Sequence, residues 1–249
     1  MADLTFQTTV APGLRLGDLF GRGFEVFKRR LGPILLVTFL AESPAVLAPL
    51  AFGDPEAMRA GAVAVVGNLL VYLVFSSIAA AAVALGVVQE LRGRPFPTRE
   101  ALIGALRRFA PLTGAALLSS LAAALGLLAL VVPGLMVMVK WFLAAPVCAV
   151  EGLGASASLD RSAKLVEGRR WLVFGVLVVC KLVIAFAVVF AASFAADMAG
   201  LEGTAQAMAS NLAQVAPDAF GAVVAAVLYV RLRAAEDGFG LDQVARVFE

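Results

Sequence analysis

Four ionisable side chains lie inside long apolar runs, and their types make them the residues best placed for chemistry. They are Glu42, Lys140, Lys181 and Asp218. A charge at the centre of a bilayer costs roughly 2.5–3.5 kcal/mol on insertion scales, so such residues usually have a structural or functional role. Two acids and two bases can neutralise one another, and we expect the pairs Lys181–Asp218 and Lys140–Glu42.

Two uses of these charges fit the sequence. Ion pairs fix the packing of membrane helices, and Lys140 lies far enough from the middle of its run to extend its ammonium toward water. Alternatively, the same groups line a wet path for an ion or a proton. The sequence leaves both interpretations open.

Two residue types that enzymes often use for acid–base, nucleophilic or metal chemistry, histidine and cysteine, are missing or scarce. The chain contains no histidine, the commonest general base and metal ligand. Cys148 and Cys180 both lie in apolar runs, which disfavours a disulfide framework. We therefore expect a non-enzymatic protein with no catalytic residue, no metal and no cofactor. The net charge of +2 is too small to indicate binding to nucleic acid.

The runs that hold the four charges are long enough to cross a membrane. The chain is 61% hydrophobic and 15% charged, and about 20 helical residues span the hydrocarbon layer. The predicted fold is all-α, with six transmembrane helices at Leu31–Phe52, Ala60–Val88, Pro111–Val132, Leu135–Val150, Trp171–Ala199 and Ala207–Val230. Pro133-Gly134 predicts a tight turn between the third and fourth helices, with one long broken helix as the alternative.

Basic residues predict the orientation of these helices. Lysine and arginine are concentrated in the N-terminal segment 1–30, in the two connections on the same side, and in the tail 231–249, whereas Arg59 is alone on the other side. The positive-inside rule then places both termini in the cytoplasm. Residues 1–249 form one membrane domain, with the six helices at 31–230. Phe239, Leu241, Val244, Val247 and Phe248 predict a short amphipathic helix in the tail.

A pair of adjacent arginines precedes each successive pair of apolar runs. The three pairs are Arg29-Arg30, Arg107-Arg108 and Arg169-Arg170. Before the first pair, apolar residues recur at helical spacing and predict an amphipathic helix, namely Leu16, Leu19, Phe20, Phe24 and Phe27. We therefore predict three repeats of an interfacial helix followed by a transmembrane hairpin. The arginines either anchor the chain to anionic lipid head groups or form a collar that binds lipids or a partner protein.

The stretch from Pro133 to Trp171 resembles a bacterial membrane family. Its motif residues are Pro133-Gly134, Trp141, Ala145-Pro146, Glu151-Gly152, Ala157, Arg161-Ser162, Leu165-Val166, Gly168, Arg169-Arg170 and Trp171, and the ending Leu228–Arg233, followed by Glu236 and Gly238, fits as well. The chain is similar to the membrane domain attached to some glycerophosphoryl diester phosphodiesterases, and to YciC-type inner-membrane proteins.

The resemblance implies a location in the bacterial cytoplasmic membrane. It does not imply phosphodiesterase activity, because the catalytic domain that carries histidines and metal-binding carboxylates has no counterpart here. It marks Glu151, Arg161, Arg169 and Arg170 as a motif at the cytoplasmic junction between the fourth and fifth helices. We expect Glu151 and Arg161 to be in contact across that junction.

Two classes of function follow from the sequence. The first is a non-enzymatic scaffold of the cell envelope that interacts with lipids, mainly anionic head groups, or with another membrane protein. The second is a transporter of a small solute or lipid that uses Glu42, Lys181 and Asp218. The scaffold is the preferred interpretation, because nothing in the spans identifies a substrate.

Overall fold

The computed structural model describes residues 15–52 and 62–247, and within these residues the secondary structure is helical with no strand. The helices are α1 (Leu16–Arg29), α2 (Leu31–Phe52), α3 (Ala62–Leu91), α4 (Thr98–Arg107), α5 (Phe109–Ala129), α6 (Val131–Lys140), α7 (Ala144–Glu151), α8 (Ala155–Val166), α9 (Arg170–Leu177), α10 (Ala185–Met198) and α11 (Gly203–Val247). A π-helical segment, Val178–Ile184, joins α9 to α10.

Six helical stretches in the described residues are long and apolar enough to cross a membrane. They are Leu31–Leu50, Val66–Leu91, Phe109–Ala129, Val131–Glu151, Arg170–Met198 and Gly203–Glu236. The all-helical class and the number of membrane-crossing segments agree with the sequence-based prediction. Together they indicate a multi-pass membrane protein.

The turn between the third and fourth apolar stretches lies three residues before the predicted one. The prediction that Pro133-Gly134 forms it is wrong, because the chain turns at Leu130, whose backbone is extended (φ −163°, ψ 145°). Pro133 instead occupies the first turn of α6, where a helix does not need the missing N–H. Helices α5 and α6 are in close contact at Gly126 and Gly134, since a Cβ added to Gly126 would lie 2.8 Å from the Gly134 Cα.

The C-terminal tail also differs from the prediction. Helix α11 continues without a break to Val247, so the helix expected after residue 230 is an extension of the last apolar stretch. The side chains of residues 237–249 lie outside the described part of the chain.

Helix α11 organises the core. It packs against α1, α2, α3 and α10, and 78% of its apolar stretch is buried, against 11% for α5. Alanine and valine dominate its buried face, which lets neighbouring backbones approach closely. Helix α11 is therefore the central helix of the bundle, and α1, α2, α3 and α10 pack around it.

The predicted apolar face of α1 is only partly buried. Leu19 is fully buried, and the rings of Phe20 and Phe27 pack on Phe220 of α11. Phe24, however, is 58% exposed. One side of α1 thus packs on the bundle while another faces outward.

Candidate functional site

Five polar side chains from four elements meet inside the bundle, and we call them the central cluster. They are Glu42 of α2, Tyr72 of α3, Lys181 of the π-helical segment, and Gln214 and Asp218 of α11. The buried Asp218 carboxylate accepts three hydrogen bonds. The Tyr72 hydroxyl donates to Oδ2 at 2.7 Å and the Gln214 amide to Oδ1 at 3.3 Å. The Lys181 ammonium also donates to Oδ1, so the predicted Lys181–Asp218 pair is present.

Each of the three ionisable residues Glu42, Lys181 and Asp218 lies at or near an irregularity in its helix. Lys181 lies in the middle of the π-helical segment, a rare conformation that is frequent at functional sites. Pro217 directly precedes Asp218, and Pro44 follows Glu42 by two residues. Each proline removes a backbone hydrogen bond from its helix. The polar groups are therefore held where the helical backbone departs from regular geometry.

Polar side chains replace two of the hydrogen bonds that prolines remove in α2. Pro44 cannot bond the Leu40 carbonyl, and the Ser43 hydroxyl donates to that oxygen at 2.9 Å. Pro49 cannot bond the Ala45 carbonyl, and the amide of Asn211 in α11 donates to it at 3.0 Å. The second bond crosses between helices. It ties the irregular half of α2 to α11 next to the cluster.

Glu42 has no such partner. Its side chain is only 2% exposed, and its Oε1 atom is buried without a hydrogen bond. The charges of Asp218 and Lys181 act on it across the cluster. An isolated ionised carboxylate in an apolar interior is very costly, so this carboxyl is stable only when neutral or when joined by a cation.

The predicted pair Lys140–Glu42 is wrong. Lys140 is exposed at the end of α6, whereas Glu42 faces the centre, where α2 packs mainly against α3 and α11. At Lys140 it is the backbone carbonyl that has a partner, accepting a hydrogen bond from Ser162 of α8 at 3.0 Å. Of the four charges in the apolar runs, the structure thus gathers Glu42, Lys181 and Asp218 and leaves Lys140 apart.

A shallow open groove of about 460 Å³ lies on the surface of the bundle beside the cluster. Lys181 and Gln214 lie on it together with Val189, Phe190 and Ser193 of α10. The stacked rings of Phe186 and Phe190 form an exposed wall, with centroids 5.9 Å apart. The Lys181 side chain is 46% exposed while that of Asp218 is 6% exposed. Lys181 therefore belongs both to the buried cluster and to the groove.

A second ionic site lies where α7, α8 and α11 meet, and we call it the junction network. The predicted contact is present, with Arg161 Nε 3.2 Å from Glu151 Oε2. Arg161 also binds Glu236 at 2.6 Å, and Tyr229 donates to Glu151 at 2.9 Å. Arg233 donates to the Tyr229 hydroxyl at 2.9 Å. The hydrogen bond to Glu236, followed by the charge of Glu151, raises the pKa of Arg161.

The other two motif residues, Arg169 and Arg170, are not part of the junction network. Arg170 is exposed, and Arg169 is half-buried, with its Nη1 atom buried and without a hydrogen bond. The remaining arginine pairs divide in the same way. Arg29 and Arg107 are exposed, whereas Arg30 binds the buried Glu90 carboxylate at 2.9 Å and Arg108 lies over Gly152. One arginine of each pair thus packs on the protein and one remains exposed.

Sequence reasoning missed Tyr72 and Gln214 of the central cluster. Both are polar residues within apolar runs, and a search for every hydrogen-bonding side chain in those runs, rather than for charges alone, would have found them. Their contacts with Asp218 depend on the packing of α3 and α11, which the sequence does not specify.

Comparison with known proteins adds no family to this description. No protein-family model, curated protein or solved structure matches the chain. In the described residues no group of three or more histidine, cysteine or acidic side chains could hold a metal ion. The central cluster and the groove are therefore the features of the molecule that bear on its function.

Proposed function

We propose that this protein is a non-enzymatic transporter that moves an amphiphilic, lipid-like molecule across the membrane. The central cluster binds the polar head of the molecule, and the groove admits it sideways from the lipid. The single observation that carries this proposal is the position of Lys181, which binds the buried Asp218 and also lines the groove on the bundle surface.

The lining of the groove favours an amphiphile over a small polar solute. Its walls are largely apolar, and its polar lining consists of Lys181, Gln214 and Ser193. Membrane-embedded sites with apolar walls and few convergent polar groups suit ligands that have one polar end. With all its groups ionised, the cluster has one net negative charge, which favours a head group that carries an amine.

Proteoliposomes test this proposal. The full chain is reconstituted with phosphatidylethanolamine that carries an NBD fluorophore on one acyl chain, so that the amine stays free. Quenching from outside with dithionite then reports movement between leaflets. We expect the protein to accelerate this movement, and Lys181→Leu to lower the protein-dependent rate about tenfold, the loss expected when one charged hydrogen-bonding group is removed.

The chain offers a matched control for this experiment. Lys140→Leu removes the other lysine of the apolar runs, which lies outside the cluster, and should leave the rate unchanged. Both variants must insert and fold like the parent protein. Equal rates for the parent protein and protein-free vesicles would contradict the proposal, as would equal losses in the two variants.

The groove itself is tested by a second matched pair. Val189 lines the groove, whereas its neighbour Val188 is exposed outside it. Val189→Trp should block movement of the labelled lipid, and Val188→Trp should not. Blockage by both variants would show that bulk on α10, rather than closure of the groove, is responsible.

The membrane arrangement predicted from sequence is part of the proposal. Three short helices, α1, α4 and α8, precede successive pairs of apolar stretches, and this order supports three repeats of an interfacial helix with a transmembrane hairpin. The basic segments support cytoplasmic termini. A bacterial inner-membrane location and membership of the YciC-like group are proposed on the motif residues of the sequence.

The exposed arginines favour a second function, attachment to anionic lipid surfaces as a membrane scaffold. Arg29, Arg107 and Arg170 are exposed, and Trp171, which follows Arg170, is 85% exposed. Near an anionic surface each such charge contributes about 1 kcal/mol. Replacing the three arginines with glutamine should reduce enrichment of phosphatidylglycerol around the protein in nanodiscs. The same change at Arg92, Arg94 and Arg99 is the control, and an equal effect there would exclude a specific collar.

A further inference from the structure

Glu42 differs from every other acidic group of the two sites in having a buried oxygen with no donor. Asp218 is held by Tyr72, Gln214 and Lys181, and Glu151 by Arg161 and Tyr229. The Oε1 atom of Glu42 is buried without a hydrogen bond, in a side chain that is 2% exposed. A buried carboxyl oxygen without a hydrogen-bond donor points to a ligand that supplies the missing partner.

We infer that Glu42 is a proton-binding site and that its proton exchange drives the movement of the amphiphile. Only the second part of this inference, that proton exchange drives the movement of the amphiphile, rests on the proposed transport function. The binding of a proton by Glu42 stands on the geometry of the cluster and is testable without a transported molecule.

The groups that face Glu42 come from three elements. They are Tyr72 of α3, Asp218 of α11 and Lys181 of the π-helical segment. Helices α1 and α4 also contact α2, but no charge from either acts on Glu42. One positive and one negative charge thus surround it, and Asp218 already holds the ammonium of Lys181.

A proton suits this site better than a metal cation. Metal cations such as Ca²⁺ or Mg²⁺ need about six oxygen ligands, and here both Asp218 oxygens already accept hydrogen bonds. One unpartnered carboxyl oxygen is enough for a proton. A protonated carboxyl is neutral, which removes the cost of a buried charge.

Proton release changes the cluster in a defined way. The O–H bond of the Glu42 carboxyl breaks, and a water molecule accepts the proton. The electron pair remains on Glu42, whose new carboxylate attracts the Lys181 ammonium away from Asp218. Asp218, still bound by Tyr72 and Gln214, is then free to accept the amine of a head group. Proton release and head-group binding are thereby linked.

Infrared difference spectroscopy tests the protonated state directly. The full chain in lipid nanodiscs is titrated with acid and base while the carbonyl band of protonated carboxyl groups is recorded. We expect a band at neutral pH that disappears on titration with base and is lost in Glu42→Gln. The band should persist in the control Glu25→Gln, which changes an exposed residue. A band that survives in Glu42→Gln, or that is absent from the parent protein, would overturn the inference.

The transport half of the inference is tested with the labelled phosphatidylethanolamine. A pH gradient across the vesicle should change the rate of movement in the parent protein and in Glu25→Gln, and should have no effect in Glu42→Gln. Persistence of the gradient effect in Glu42→Gln would overturn the coupling. If no labelled lipid moves in any protein, the proposed function fails, while the infrared band still decides whether Glu42 binds a proton.

Discussion

The central cluster and the junction network both join carboxylates to cations, but they differ in how completely their groups are satisfied. In the junction network, Glu151, Arg161 and Glu236 share ion pairs and hydrogen bonds. In the central cluster, one carboxyl has three donors and another has an oxygen with none. The difference suggests that the junction network serves assembly and that the cluster retains an unsatisfied group because it acts on something else.

The surroundings of the two sites support this contrast. The junction network lies beside the end of α7 and the end of the apolar stretch of α11, and Glu236 is 48% exposed, so its ion pairs are partly solvated and individually weak. The cluster lies within the membrane-crossing stretches, where an uncompensated charge is expensive. The same residue types therefore have different consequences at the two sites.

The largest effect is expected from breaking the ion pair of the cluster. Asp218→Leu leaves the Lys181 ammonium without its partner, and we expect a loss of about 2–3 kcal/mol in the free energy of unfolding, below the roughly 3–5 kcal/mol of fully buried pairs because Lys181 is half exposed. Denaturant titration of the protein in detergent micelles measures this loss. The double variant Lys181→Leu/Asp218→Leu should recover part of the stability yet remain inactive in lipid transport. A double variant that regains transport would show that the pair only holds helices together.

A smaller loss of stability, with no loss of transport, is expected at the junction network. Arg161→Leu should lower the free energy of unfolding by about 1–2 kcal/mol, because hydrogen bonds to charged groups are lost at a partly exposed site. Since the pKa of Arg161 is raised, its guanidinium stays charged through the neutral range and this effect should not vary with pH there. Transport of the labelled lipid should be unchanged once folding is matched. A selective loss of transport would remove the contrast between the two sites.

The smallest effect is expected from the hydrogen bond between Asn211 and the Ala45 carbonyl. Asn211→Ala should cost about 0.6–1 kcal/mol, typical of hydrogen bonds between membrane helices. Pro49→Ala supplies the N–H that the Ala45 carbonyl lacks, so the double variant should be less destabilised than the sum of the single ones. Additive losses in the same unfolding measurement would show that Pro49 does not determine the role of Asn211.

The sequence predicted some of these features and missed others for identifiable reasons. Hydrophobic runs predicted the six membrane-crossing stretches, because their length and composition are set by the bilayer. The Lys181–Asp218 contact was predicted because opposite charges in neighbouring apolar runs have few alternative partners. The turn at Leu130 was missed because proline serves equally well in a turn and in the first turn of a helix.

The incorrect pairing of Lys140 with Glu42 shows a limit of the same reasoning. Charge complementarity does not reveal which helices are neighbours, and α2 packs mainly against α3 and α11. The groove and the unpartnered Glu42 oxygen also depend on the three-dimensional packing of several helices. The residues of a candidate site could therefore be predicted more readily than the contacts between them.

The central claim, that an amphiphile enters the groove beside Lys181, is tested most directly by photocrosslinking. Phosphatidylethanolamine with a diazirine in its acyl chain is incorporated into nanodiscs with the full chain, irradiated, and the modified residues are identified by mass spectrometry. We predict that adducts concentrate on α10 residues 185–193 and are lost in Val189→Trp but not in Val188→Trp. Adducts spread evenly over the outward face of α5, with no preference for the groove, would contradict the claim.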